Sequence, residues 1–168
     1  MISVKEELRK PSTWFKGGLL TAVYIAVTVF GGYFSYGEIQ FRFAESLFVL
    51  AVFPEWFVPV IIMNFLNVLS NLSSPFLPWD LIISYFGNIA TFFLMLALKE
   101  HIVTSSFKGV LLMALIESVT VMLAVGFMLT YFFSLPLWTY LSLFVSEMLS
   151  ILLLGTVIFK VAGALRKS

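Results

Sequence analysis

The sequence predicts an all-α integral membrane protein: one domain of six transmembrane helices with both termini cytoplasmic. Three observations predict it. The 168 residues are 61% hydrophobic and 11% charged, with a mean hydropathy of +1.04. A soluble domain carries roughly 25% charged residues, so too little charge is present to solvate a surface. Apolar runs recur along the chain, each near the roughly 20 residues that a helix needs to cross hydrocarbon. Finally, the basic residues fall in a few segments, and their placement fixes the number of crossings.

The elements follow in order. Met1–Lys16 is a mixed-charge segment holding Lys5, Glu6, Glu7, Arg9, Lys10 and Lys16, and it is expected on the cytoplasmic side. The apolar run after it is too long and too aromatic for the core of a cleaved signal peptide. The first span is Gly17–Tyr36. The stretch Phe43–Leu72 reads either as one long span or as two helices broken at Pro54-Glu55. Basic residues cluster at the N-terminus, in the Lys99–Lys108 loop and at Lys160, Arg166 and Lys167. An even number of crossings puts all of these inside, whereas five would place the loop and the C-terminus outside. The expected second helix is therefore Arg42–Phe53 and the third runs over residues 54–72. About 12 residues rise about 18 Å as an α-helix. That is too short for ~30 Å of hydrocarbon, so neighbouring helices must shield it. The remaining spans are Asp80–Leu98, Gly109–Phe133 and Leu137–Val161. Trp14 and Trp56 then fall at the inner boundary and Trp79 and Trp138 at the outer one, as interfacial anchors do.

Within this frame Arg42 is the one basic residue of ten that topology does not require. It lies in Tyr36-Gly-Glu-Ile-Gln-Phe-Arg42-Phe-Ala-Glu45, where Glu38, Arg42 and Glu45 have the spacing i, i+4, i+7. A helix starting here would carry all three on one face. Charge next to hydrocarbon is expensive and marks a functional site; the alternative is a solvated loop with an ion pair at a helix start. Asn64, Asn67 and Asn71 form one stripe on the third helix. Asp80, Ser84, Asn88 and Thr91 form another on the fourth, and Thr139, Ser142, Ser146 and Ser150 a third on the sixth. Such stripes face protein or a water-filled cavity, or serve as interhelical hydrogen bonds worth ~0.6 kcal/mol each. Asp80 either caps its helix or serves a site. Glu117 and Glu147 lie deeper, in packing or facing a polar cavity. His101 reads as a solvated loop residue. Cys is absent, so disulfides and thiolate chemistry are excluded. No phosphate-binding loop, metal-ligand spacing or catalytic triad is present. No enzyme activity, cofactor, metal or nucleic-acid partner is expected.

Gly37-Glu-Ile-Gln40-Phe-Arg42-Phe-Ala-Glu45-Ser-Leu, Phe53-Pro-Glu55, and Asp80 with Gly87-Asn-Ile-Ala90-Thr91 resemble the QueT family. Those are substrate-binding S-components of energy-coupling factor (ECF) vitamin transporters, linked to precursors of the tRNA base queuosine. The resemblance implies six helices in the prokaryotic plasma membrane, and binding of a small heterocycle without catalysis. It also implies partnership with a transmembrane coupling subunit and two cytoplasmic ATPases, beside membrane lipid. Ala22-x-x-x-Ala26 matches the small-residue motif that packs on the coupling subunit. One departure is Pro59-Val-Ile-Ile-Met-Asn64, which has no glycine where the family is glycine-rich. The substrate-binding residues expected from the resemblance and from side-chain chemistry are Tyr36, Gln40, Arg42, Glu45, Asp80, Asn88 and Glu147. Glu45 suits the donors of a planar base, Arg42 its acceptors or its face, and Tyr36 and Phe41 cover it. The rival readings are a stand-alone secondary transporter, in which Glu117 or Glu147 carries a proton, an S-component for another vitamin, and an intramembrane enzyme.

Overall fold

The computed structural model describes residues 3–32, 35 and 40–167. Tyr36 and Glu38 lie outside the described residues. The chain forms a short helix α1 (Val4–Glu7), α2 (Pro11–Gly31), a 3-10 helix η1 (Phe43–Val52) and α3 (Pro54–Leu66). The last of these runs on as a second 3-10 helix, η2 (Asn67–Ser73). Helices α4 (Trp79–Ala97), α5 (Lys99–Ile102), α6 (Phe107–Phe133) and α7 (Trp138–Leu165) follow. There is no strand among the described residues. Five helical stretches are long and apolar enough to cross a membrane, α2, α3 with η2, α4, α6 and α7, and η1 is a shorter apolar sixth.

The polarity of the bundle suits lipid. Phe15, Phe30, Leu137 and Leu153 point outward, while Arg42, Glu45, Asp80, Glu117 and Glu147 are buried. Lipid offers no hydrogen bonds, so polar groups must be satisfied inside the protein. This is a multi-pass membrane protein.

Helix η1 is the centre of the packing: it lies against α2, α3, α6 and α7. Eight of its ten residues are buried, which is the shielding that its length requires. As a 3-10 helix it rises about 2.0 Å per residue, so its ten residues reach about 20 Å, against about 15 Å for an α-helix. It ends because Phe53 precedes a proline and is extended, at φ −94° and ψ 132°. Pro54 then opens α3, where its missing N–H costs nothing. The break thus falls at Phe53, and Pro54 and Glu55 belong to the first turn of α3 rather than to a turn between helices. Gly155 of α7 permits the close approach of η1. A Cβ there would stand 2.5 Å from Val49 Cγ2, well inside contact distance.

The start of η1 corrects one expectation. Gln40–Arg42 is not helical and the helix begins only at Phe43. The i, i+4, i+7 register of Glu38, Arg42 and Glu45 therefore does not form a single helical face, although Arg42 and Glu45 still meet.

Basic segments gather at one end of the bundle. Lys16 Nζ lies 5.0 Å from the centre of the Trp56 ring. Arg166 pairs with Glu55 at 3.4 Å and donates to Ser105 Oγ at 2.9 Å, and the Ser105 N–H donates to Val52 O at 3.0 Å. At the far end Trp79 stacks on Phe132 at 4.1 Å and Phe76 meets Phe133 at 4.8 Å. By the positive-inside rule the first end is cytoplasmic. Ser105 and Ser134 are both exposed, one at each end. The natural chain contains no Cys, so Ser105→Cys and Ser134→Cys report cleanly. An impermeant thiol reagent added to intact cells should label the second and leave the first unlabelled. Labelling of the Ser105 variant from outside would contradict the topology.

Candidate ligand-binding site

Four buried carboxylates, Glu45, Asp80, Glu117 and Glu147, share the interior with one buried guanidinium, Arg42, among the described residues. Each is held by a different element. Arg42 stands just before η1, where its backbone leaves helical geometry (φ −88°, ψ 76°). Glu45 is in the first turn of η1, Asp80 in the first turn of α4, Glu117 in α6 and Glu147 in α7.

Arg42 Nε donates to Gln40 Oε1 at 3.0 Å, which fixes the plane of the guanidinium. Its Nη1 lies 3.9 Å from Glu45 Oε1, near enough to attract but too far to hydrogen-bond. The same Glu45 oxygen accepts from Tyr24 Oη of α2 at 2.5 Å. Arg42 Nη2, Glu45 Oε2, Glu117 Oε1 and Glu147 Oε1 are buried and have no hydrogen-bond partner among the described residues. Arg42 also interacts electrostatically with Asp80 and Glu147, and Glu117 with Glu45 and Glu147. A buried polar atom left unpaired costs about 1–3 kcal/mol, and more when charged. These four atoms are left unsatisfied by the described residues themselves.

The stripes on η2 and α4 form the opposite wall. Asn88 Nδ2 donates to Asn67 Oδ1 at 2.7 Å, and Asn64 Nδ2 donates to Asn88 O at 2.8 Å. Asn71 Nδ2 reaches Asp80 O at 3.4 Å. In a 3-10 helix residues three apart are eclipsed, so η2 presents Asn67 and Ser70 in one column. Asp80 makes no cap bond; its Oδ1 accepts from Ser84 Oγ at 3.0 Å. Thr91 Oγ1 donates to Thr120 Oγ1 at 2.9 Å, joining α4 to α6.

Between these walls is a cavity of about 20 Å³, lined by residues that include Tyr24, Arg42, Glu45, Asn67, Asn71, Asn88 and Glu117. That volume suits a water molecule.

Of the expected site residues, Arg42, Glu45 and Asn88 line the cavity. Gln40 and Asp80 are buried behind it, orienting Arg42 and Ser84. Glu147 is buried and interacts with Glu45 and Arg42, but Glu117 is the deep carboxylate on the wall. Tyr36 lies outside the described residues. Tyr24 was not expected at all. Its only sequence signal is a hydroxyl between Ala22 and Ala26, on the opposite side of α2. Both alanines are exposed while Tyr24 is buried.

The family described as QueT transporter matches residues 14–163, which is most of the chain. No curated protein and no solved structure matches the chain.

Proposed function

Because the chain belongs to the QueT transporter family, and is thus a membrane transporter, we propose that it is the substrate-binding subunit of an ECF-type importer for a queuosine precursor, a deazapurine base. The observation that carries this reading is the cavity lined by Arg42, Glu45, Asn88 and Glu117 in the interior of the bundle. A deazapurine base presents ring and exocyclic N–H donors and a carbonyl acceptor along one edge. Carboxylates accept from those donors, and Arg42 and the amides of Asn67, Asn71 and Asn88 supply donors for the acceptor. The free oxygens of Glu45 and Glu117 and the free Nη2 of Arg42 are the atoms available for it.

Energy for uptake comes from elsewhere in this reading, since the sequence has no phosphate-binding loop. A coupling subunit would dock on the exposed side of α2 at Ala22 and Ala26, where small side chains permit close backbone approach. Two cytoplasmic ATPases would drive the cycle. The unpartnered Glu117 and Glu147 favour one alternative, a stand-alone transporter coupled to protons.

Proteoliposomes separate the two. The purified chain alone is expected to bind the base without accumulating it, with or without a proton gradient. Uptake should begin only when the coupling subunit, the ATPases and internal ATP are added. Gradient-driven accumulation by the chain alone would overturn the ECF assignment.

A further inference from the structure

The last turns of α7 carry a groove of about 620 Å³ at the cytoplasmic end, apart from the interior cavity. Lys160, Gly163, Ala164 and Lys167 line it with the spacing i, i+3, i+4, i+7, so they share one side of α7. The two small residues form a notch with a lysine at each end, about 10 Å apart at 1.5 Å per residue. Phe53 and Phe159, stacked at 5.5 Å, make an apolar wall. Both lysines are exposed, and neither has an ion-pair partner among the described residues. Glu55, at the same end, is already held by Arg166 at 3.4 Å. The positive-inside rule accounts for basic residues anywhere on this side, but not for their bracketing of an apolar notch.

Depth says what fills the groove. Helix α7 has 28 residues and is about 42 Å long. Counted from Trp138 at the outer boundary, the ~30 Å of hydrocarbon uses about 20 of them. Lys160 to Lys167 therefore stand at the level of the inner headgroups. Cations at that depth face the phosphates of a leaflet that carries anionic lipid, and the apolar wall beside them faces acyl chains. We propose that this groove binds an anionic phospholipid of the inner leaflet. The headgroup phosphate lies between Lys160 and Lys167, whose ammonium groups donate to its oxygens, and an acyl chain runs along Phe53 and Phe159. Arg166, bonded to Glu55 and to Ser105 Oγ, ties the end of α7 to α3 and to the loop before α6 and so holds the groove in shape. The site rests on the topology and is independent of the ligand-binding reading.

The test titrates the whole chain in detergent with phosphatidylglycerol or with phosphatidylcholine of the same acyl chains, and counts bound lipid by native mass spectrometry. A lysine near an anionic headgroup contributes about 5-fold in affinity, so the parent should prefer phosphatidylglycerol by roughly 25-fold. Lys160→Gln with Lys167→Gln should erase the preference. Lys5→Gln with Lys108→Gln removes the same charge from exposed positions on the same side and should keep it. Gly163→Leu fills the notch without changing charge and should weaken both lipids. A Cβ at Gly163 would stand 3.9 Å from Phe53 Cζ, an ordinary contact, so this variant keeps the fold. Equal binding of the two lipids by the parent overturns the proposal. So does an equal loss in the two double variants, which would mean diffuse attraction rather than a site. Displacement of phosphatidylglycerol by excess inorganic phosphate would mean a soluble-anion site and overturn the lipid assignment. A Lys160→Gln, Lys167→Gln chain that keeps its lipid preference but loses a co-purifying protein would make this side a protein-docking surface and also overturn it.

Discussion

Arg42→Ala should abolish measurable binding and destabilise the protein by about 3–5 kcal/mol, the cost typical of breaking a buried ion pair from one side. Arg42 is the one buried cation among the described residues and stands with four buried carboxylates. Removing it strands Glu45 at 3.9 Å and frees Gln40 Oε1 from its donor at 3.0 Å. Arg42→Lys should fall between the two. It keeps the charge but not the planar fork that holds Gln40 on one edge and leaves Nη2 free on another. Glu45→Gln keeps the size of the side chain and still offers Tyr24 an acceptor. It should cost about 1–3 kcal/mol, roughly 5- to 150-fold in affinity. Thermal unfolding and titration calorimetry in detergent read both effects. An Arg42→Ala protein that melts and binds like the parent would remove Arg42 from the site.

Ala22→Leu combined with Ala26→Leu should separate binding from uptake. Both alanines are exposed on α2, and Tyr24 is buried on the opposite side of the helix with its hydroxyl on Glu45. Added bulk on the outer side therefore leaves the cavity unchanged. Against a closely packed partner it costs about 1–3 kcal/mol by overpacking, roughly 5- to 150-fold in partner affinity. The variant should bind the base as the parent does while ATP-dependent uptake falls by that factor. Unchanged uptake would exclude this side of α2 as the docking surface.

Much of the architecture was legible because lipid imposes simple rules. Apolar length marked the spans, and nine of the ten basic residues marked one side. The short second helix was legible from the charge count, but its 3-10 geometry was not. Phe43–Val52 is apolar nearly throughout, so no periodicity distinguishes three residues per turn from 3.6. The same change of winding hid the arrangement of the asparagine stripe on the third helix. Asn64, Asn67 and Asn71 were read on one α-helix, but the helix tightens after Leu66. Asn64 bonds to the backbone of α4, while Asn67 and Asn71 reach the cavity.

In the site, charge was visible and orientation was not. Arg42 and Glu45 stood out because they are ionisable next to hydrocarbon. Glu117 and Glu147 both lie deep in long apolar helices, and spacing alone does not tell which of the two faces the cavity; in the fold it is Glu117 that lines the wall. Tyr24 was hidden for another reason. Tyrosine is common both in helix packing and at membrane interfaces, and only the fold shows its hydroxyl on Glu45.

The central claim is that this chain binds a deazapurine base and works through partners. Purification from native membranes at natural abundance, with mass spectrometry of both proteins and released small molecules, tests it most directly. The account predicts a transmembrane coupling protein, two ATPase subunits and a deazapurine base, with the small molecule lost in Arg42→Ala. A chain that purifies without ATPases and releases a different compound, retained in Arg42→Ala, would contradict it.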